Sequence, residues 1–113
     1  MPITFNKTVS GNIVIYKVGG KIDAHEAPGF ETKIKEGITD NKNNVIVDFS
    51  GVDYISSAGL GVLNAIKVIL DKEKRKIALC GMNAKIKKTF DLLGFSRTFT
   101  IVETIADAQA KLK

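Results

Sequence analysis

One run constrains this chain most. From Asn44 to Leu70, a buried-strand pattern passes through a short polar turn into a long helix with one apolar face. Val45, Ile46, Val47 and Phe49 read as a strand covered on both sides. Leu60, Leu63, Ile66 and Leu70 then recur at helical spacing, and Val62 and Ile69 widen the stripe. Lys67 interrupts it, but a lysine stem can lie along apolar surface with its ammonium in water. Between strand and helix stand Ser56, Ser57, Ala58 and Gly59. The hydroxyls fall where the first N–H groups of a helix lack partners and where its dipole favours negative charge. Asp48 and Asp53 are expected to flank this turn and to accept backbone N–H bonds there, with orienting an incoming kinase or a metal ion as the second reading.

The remaining segments fit around that unit. Ile3 to Val9 alternates weakly and reads as an edge strand. A turn at Ser10-Gly11-Asn12 returns Ile13 to Val18 antiparallel to it. Gly19 and Gly20 are expected to break that strand, with Lys21 to Asp23 as a short extension. Asp23 followed by Glu26 has the form of a helix cap, although Pro28 suits a first turn and allows a later start. Phe30, Ile34 and Ile38 form one helix face. Lys76 to Cys80 is a further buried strand, and Asn83 is a natural cap for a helix carrying Ile86, Phe90 and Leu93. Leu93-Gly94-Phe95 reads as a helix stop. Phe99 to Val102 is a short last strand, and Thr104 with Asp107 opens a final helix bearing Ile105, Ala108 and Leu112. The predicted order is β-β-α-β-α-β-α-β-α. That is an α/β fold with a mixed, mostly parallel sheet, an antiparallel N-terminal edge strand and about four packing helices.

At 113 residues the chain is expected to form one domain, residues 1–113. The lone Cys80 lies in the apolar run Ile77 to Cys80 and reads as a buried structural thiol. Residues 1–15 lack a basic region followed by an apolar block, and no apolar run approaches a membrane span. A cytoplasmic protein without membrane insertion is expected. The formal net charge is +5, with lysines and an arginine concentrated at residues 72–76 and at Lys85, Lys87 and Lys88. No aromatic residues interleave with them, so the basic run reads as a solvated helix end and strand entry rather than a direct nucleic-acid surface.

Enzyme chemistry finds little footing. Ser57 would need a base in reach, its surroundings are not G-x-S-x-G, and the single histidine is His25. One cysteine and one histidine make no metal-ligand spacing. Gly59-Leu60-Gly61 lacks the spacing and the Lys-Ser/Thr pair of a nucleotide phosphate loop. No catalytic residue, metal or cofactor is expected. For the serines, the bland reading is that Ser56 or Ser57 caps the helix. Spacing alone does not show that a hydroxyl is modified.

The residues Asp48-Phe49-Ser50, Tyr54-Ile55 and Ser56-Ser57-Ala58-Gly59-Leu60 resemble the signature of STAS domains, in particular the bacterial anti-sigma factor antagonists. Gly20-Lys21-Ile22-Asp23 is similar to the family's approach to its first helix. Ile77 to Gly81 with Ile86, Phe90, Leu93 and Gly94 is similar to its later strand and helix end. The resemblance implies partner switching. The unphosphorylated antagonist binds an anti-sigma factor that is also a serine kinase, and a sigma factor is freed. That kinase phosphorylates a serine of the motif, and a PP2C-type phosphatase restores it. The family serine aligns with Ser57. The preceding position is often Asp and here is Ser56, which keeps Ser56 as an alternative acceptor.

On this reading the docking face includes Asp23, His25, Asp53, Tyr54, Ser56 and Gly59 beside the turn, and a monomer suits a module that presents one face to several partners. Two other readings compete. One is a STAS subunit of a signalling scaffold or transport complex that works without phosphorylation. The other is a small serine-dependent enzyme, against which the missing base and metal argue.

Overall fold

The computed structural model describes residues 3–112. Five strands form one sheet in the order β1-β2-β3-β4-β5: β1 (Thr4–Ser10), β2 (Ile13–Ile22), β3 (Asn44–Ile55), β4 (Ile77–Cys80) and β5 (Thr100–Val102). β1 runs antiparallel to β2, and the other neighbours are parallel. The helices are α1 (Ala27–Asp40), α2 (Ser57–Lys72), α3 (Ala84–Leu92), the single turn α4 (Phe95–Thr98) and α5 (Ile105–Leu112).

The two sheet faces are covered unequally. Phe30, Ile34 and Ile38 of α1, Leu63, Ile66 and Leu70 of α2, and Ile86 and Phe90 of α3 join Val14, Tyr16, Val45, Val47 and Phe49 in the main core. On the opposite face α5 lays Ala108 and Leu112 over Ile13, Ile46, Ala78 and Cys80. The consecutive apolar residues of β3 are therefore needed on both sides, as their pattern predicts. Phe90 anchors the far end of the main core, meeting Phe49, Phe95 and Phe99 edge to face. Burial pushes the Cys80 thiol up to about 12, with the Asp48 carboxylate adding to the effect, so it stays a thiol at neutral pH.

Three expectations change. Gly19 and Gly20 do not end β2. The strand continues to Ile22, with register shifts against β3 between Lys17 and Gly19 and between Gly20 and Lys21. Glycine fits closely there: a Cβ on Gly19 would stand 2.6 Å from Thr4 Oγ1, which would have to turn aside. β3 likewise runs on through Ser50 and Gly51 to Ile55, since Gly51 pairs with Gly19 at close approach. Asp48 consequently lies in mid-strand rather than beside the turn. It is buried, and it accepts bonds from the Ser50 amide and hydroxyl at 3.0 and 3.2 Å. Gly94, at φ +76°, stops α3 as its sequence implies, but the chain then adds the turn α4.

Arg75 departs from the solvated basic run predicted for residues 72–76. It is 7% exposed. Its guanidinium donates to the carbonyls of Ile38, Asn41 and Asn43 at 2.9, 2.6 and 2.9 Å, and to Glu73 Oε1 at 2.7 Å. One side chain thus joins the end of α1 and the following loop to the α2–β4 connection. Replacing Arg75 with Met leaves those carbonyls without their donor. Urea denaturation of Arg75→Met is expected to show a stability loss of about 2–3 kcal/mol, because one buried and two partly buried carbonyls lose their side-chain donor.

Candidate functional site

The C-terminal ends of β2 and β3 lie side by side, with Ile22 registered against Ile55. The Ser56 amide donates to the Ile22 carbonyl at 2.8 Å, which fixes where β3 ends and α2 begins. Ser56 then takes extended backbone angles, φ −85° and ψ 169°, as a helix cap does. Its Oγ accepts from the Gly59 amide at 3.2 Å, and its carbonyl accepts from the Leu60 amide at 3.0 Å. Ser56 is only 9% exposed.

Ser57 is the first residue of α2 and is exposed, as is Ala58. The two adjacent hydroxyls are therefore unequal. Ser56 is enclosed and its oxygen is engaged by the helix; Ser57 faces solvent one residue further on. The bland capping reading holds for Ser56 and leaves Ser57 free of that duty.

Gly59 brings this helix start down onto the sheet. A Cβ there would come within 2.8 Å of Ile55 Cγ1 and 2.9 Å of Ile22 Cγ2, so the first turn packs closer than any larger residue permits. Gly59 is buried, so its part in the site is to set the height of the turn rather than to touch a visitor.

The other predicted residues border the same corner. Asp23 follows β2 and caps the turn before α1: its Oδ1 accepts from the Glu26 amide at 2.8 Å and its carbonyl from the Ala27 amide at 2.9 Å. The helix starts at Ala27 with Pro28 in its first turn, the later of the two starts the sequence allows. His25 projects from that turn and is exposed. Asp53 and Tyr54 are exposed near the end of β3, and Tyr54 is 47% exposed despite its size. They line a small hollow of about 70 Å³ with Lys85 and Thr89 of α3.

Neither Lys85, read from the sequence only as part of a basic run, nor Thr89 was expected at this site. The signal was present: Ile86 and Phe90 mark the buried face of α3, so Lys85 and Thr89 must share another face four residues apart. Among the described residues, no group of three or more His, Cys, Asp or Glu side chains is placed to hold a metal ion. No described helix is long and apolar enough to cross a membrane.

The profile of the STAS domain family matches residues 4–108. The chain belongs to the STAS domain family. Its similarity to the anti-sigma-F factor antagonist RsfB of Mycobacterium tuberculosis is 26% identity over 106 residues, covering 94% of this chain and 86% of the relative. An anti-sigma factor antagonist from Mycobacterium paratuberculosis superposes with a TM-score of 0.89 at 26% identity, covering 97% of this chain and 93% of that one. The Bacillus cell fate determinant SpoIIAA, solved in its phosphorylated form, shares the fold with a TM-score of 0.72 at 19% identity, covering 97% of this STAS chain and all of its own.

The two serines are separable by stability. Ser56→Ala is expected to lower stability by about 1 kcal/mol through loss of the cap. Ser57→Ala is expected to stay within about 0.5 kcal/mol of wild type, as an exposed substitution does. Gly59→Ala is expected to lose about 1–3 kcal/mol by overpacking against Ile22 and Ile55. Thermal or urea denaturation of the three variants reads all three effects.

Proposed function

We propose that this STAS domain is an anti-sigma factor antagonist controlled by phosphorylation of Ser57. Unphosphorylated, it binds an anti-sigma factor that is also a serine kinase and so frees a sigma factor. Phosphorylation of Ser57 by that kinase ends the contact, and a PP2C-type phosphatase restores it. The observation that carries this reading is the division of labour at the start of α2, where Ser56 is buried as the cap and Ser57 is exposed. Ser57 is accordingly the acceptor in this proposal, and Ser56 holds the helix in place. The names of the antagonists to which the chain is similar support the same partner class.

The physics of the switch is local. A phosphoserine carries about −1.5 to −2 charges at neutral pH. At an exposed helix N-terminus the dipole favours such a charge by about 0.3–1 kcal/mol, so the domain keeps its fold. A docked protein has no such compensation. Burying that charge against a like charge or an unpaired surface costs several kcal/mol. A loss of about 3 kcal/mol already weakens binding more than a hundredfold.

The docking face proposed around Ser57 comprises Asp23, His25, Asp53 and Tyr54. Gly59 contributes by lowering the turn between them. Lys85 extends this face along α3, since it borders the same hollow as Tyr54. The face offers both signs of charge around one exposed aromatic ring, which suits a polar contact with a small apolar anchor.

The test uses a candidate anti-sigma kinase with ATP, followed by mass spectrometry of the digested chain. Phosphate is expected on Ser57 and absent from Ser56. Ser57→Ala is expected to keep kinase binding, and Ser57→Asp to weaken it at least tenfold. Phosphate on Ser56, or equal binding by both Ser57 variants, overturns the proposal.

A further inference from the structure

β1 is one of the two edges of the sheet and much the longer. It pairs with β2 in one unbroken register, from Thr4 against Gly19 to Ser10 against Ile13. The strand contains no proline, and Lys7 is its only charged residue. Among the described residues no strand lies along its outer side. The loop Gly11-Asn12 closes the hairpin on the pair Ser10 and Ile13. A two-residue loop closes on a hydrogen-bonded pair, so the alternation of the ladder turns the N–H and C=O groups of Phe5, Lys7 and Val9 outward. A regular edge of this kind is a template for another strand.

The side chains indicate which strand. Phe5, Lys7 and Val9 share the helix-covered face with Val18, Tyr16 and Val14, their partners on β2. Val9 is nevertheless 52% exposed. A shallow hollow of about 220 Å³ lies between this strand and α1, with Phe5 and Tyr16 in its wall and Lys7, Lys33, Glu36 and Asp40 around it. The chain as a whole carries +5, yet this rim balances two cations against two carboxylates. A surface that meets its own copy across a two-fold axis needs both signs, because each charge must find its opposite on an identical surface.

We propose that a second copy of this chain adds its β1 antiparallel to this edge across a two-fold axis, with Asn6 opposite Asn6. In that register Phe5 lies opposite Lys7, Thr4 opposite Thr8, and Ile3 opposite Val9. The Lys7 ammonium is then within reach of the facing Phe5 ring, and Val9 gains an apolar neighbour. The register with Lys7 on the axis sets two ammonium groups face to face, which is destabilising. A slip of one residue sets side chains of opposite faces against each other. The chosen register makes one continuous sheet from two copies and brings the charged rims beside the two α1 helices together. It replaces the monomer expected from the sequence. It uses none of the residues proposed to dock at Ser57, so each can fail without the other.

The test is sedimentation equilibrium of the full chain, with disulfide trapping as an independent readout of register. The wild type is expected at the mass of two chains. Lys7→Pro removes an outward N–H without touching the β2 ladder and is expected to halve that mass while thermal unfolding stays cooperative. Asn6 forms a non-hydrogen-bonded pair with its copy, where Cα atoms lie about 4.5 Å apart and a disulfide can close. Asn6→Cys is therefore expected to yield a cross-linked pair under mild oxidation, and Lys7→Cys not to. Cys80 is buried and does not interfere. Should Lys7→Pro fail to fold, the cross-linking pair decides. A wild type with the mass of one chain at its highest soluble concentration overturns the proposal. So does a Lys7→Cys that cross-links as readily as Asn6→Cys.

Discussion

The hydrogen bond from the Gly59 amide to the Ser56 hydroxyl sets what the corner can do. A helix start has donors to satisfy, and here one serine satisfies one of them from a nearly buried position. Its neighbour is thereby released from structural duty. The same bond depends on the sheet beneath it, because Ser56 is held to Ile22 by its own amide and Gly59 rests on Ile22 and Ile55. Strand pairing, close approach at a glycine and helix capping combine to leave one hydroxyl exposed on a rigid base.

That support matters for the proposed switch, which would work by charge. A modified side chain on a mobile loop could swing away from a docked protein. Ser57 opens a sixteen-residue helix packed along its length on the main core, so a charge placed there stays where it is put. Arg75 secures the other end of the same helix by tying the α2–β4 connection to the end of α1. The helix that presents Ser57 is thus fixed at both ends by polar contacts and along its middle by apolar ones.

Much of this was legible in the sequence. The helical spacing of Leu60, Leu63, Ile66 and Leu70 and the double-faced apolar run of β3 fix the central unit, and both are found in the core. A serine cap at the start of α2 and the Asn83 cap follow from residue type, and Ser56 and Asn83 accept the bonds expected of caps. The sequence misled where glycine was read only as a breaker. Gly51 fits its paired strand because it lies tight against Gly19, and Gly19 fits because it leaves room for Thr4, relations between distant residues that no local pattern reports. Asp48 was misplaced for the same reason, since extending β3 moves it from a turn into the sheet. Arg75 was hidden in a run of lysines, and its carbonyl partners lie more than thirty residues away in sequence. The separation of Ser56 from Ser57 needed the path of the backbone, because both are equally good caps by type.

The central claim is that charge on Ser57 changes a contact and leaves the fold alone. Amide NMR spectra of the chain before and after stoichiometric phosphorylation test it most directly. The account predicts shifts confined to the corner formed by residues 22–26 and 53–60, with the core amides of β3 and β4 unmoved. Shifts spread through the sheet, or loss of dispersion, would show that the phosphate acts by disturbing the fold and would contradict it.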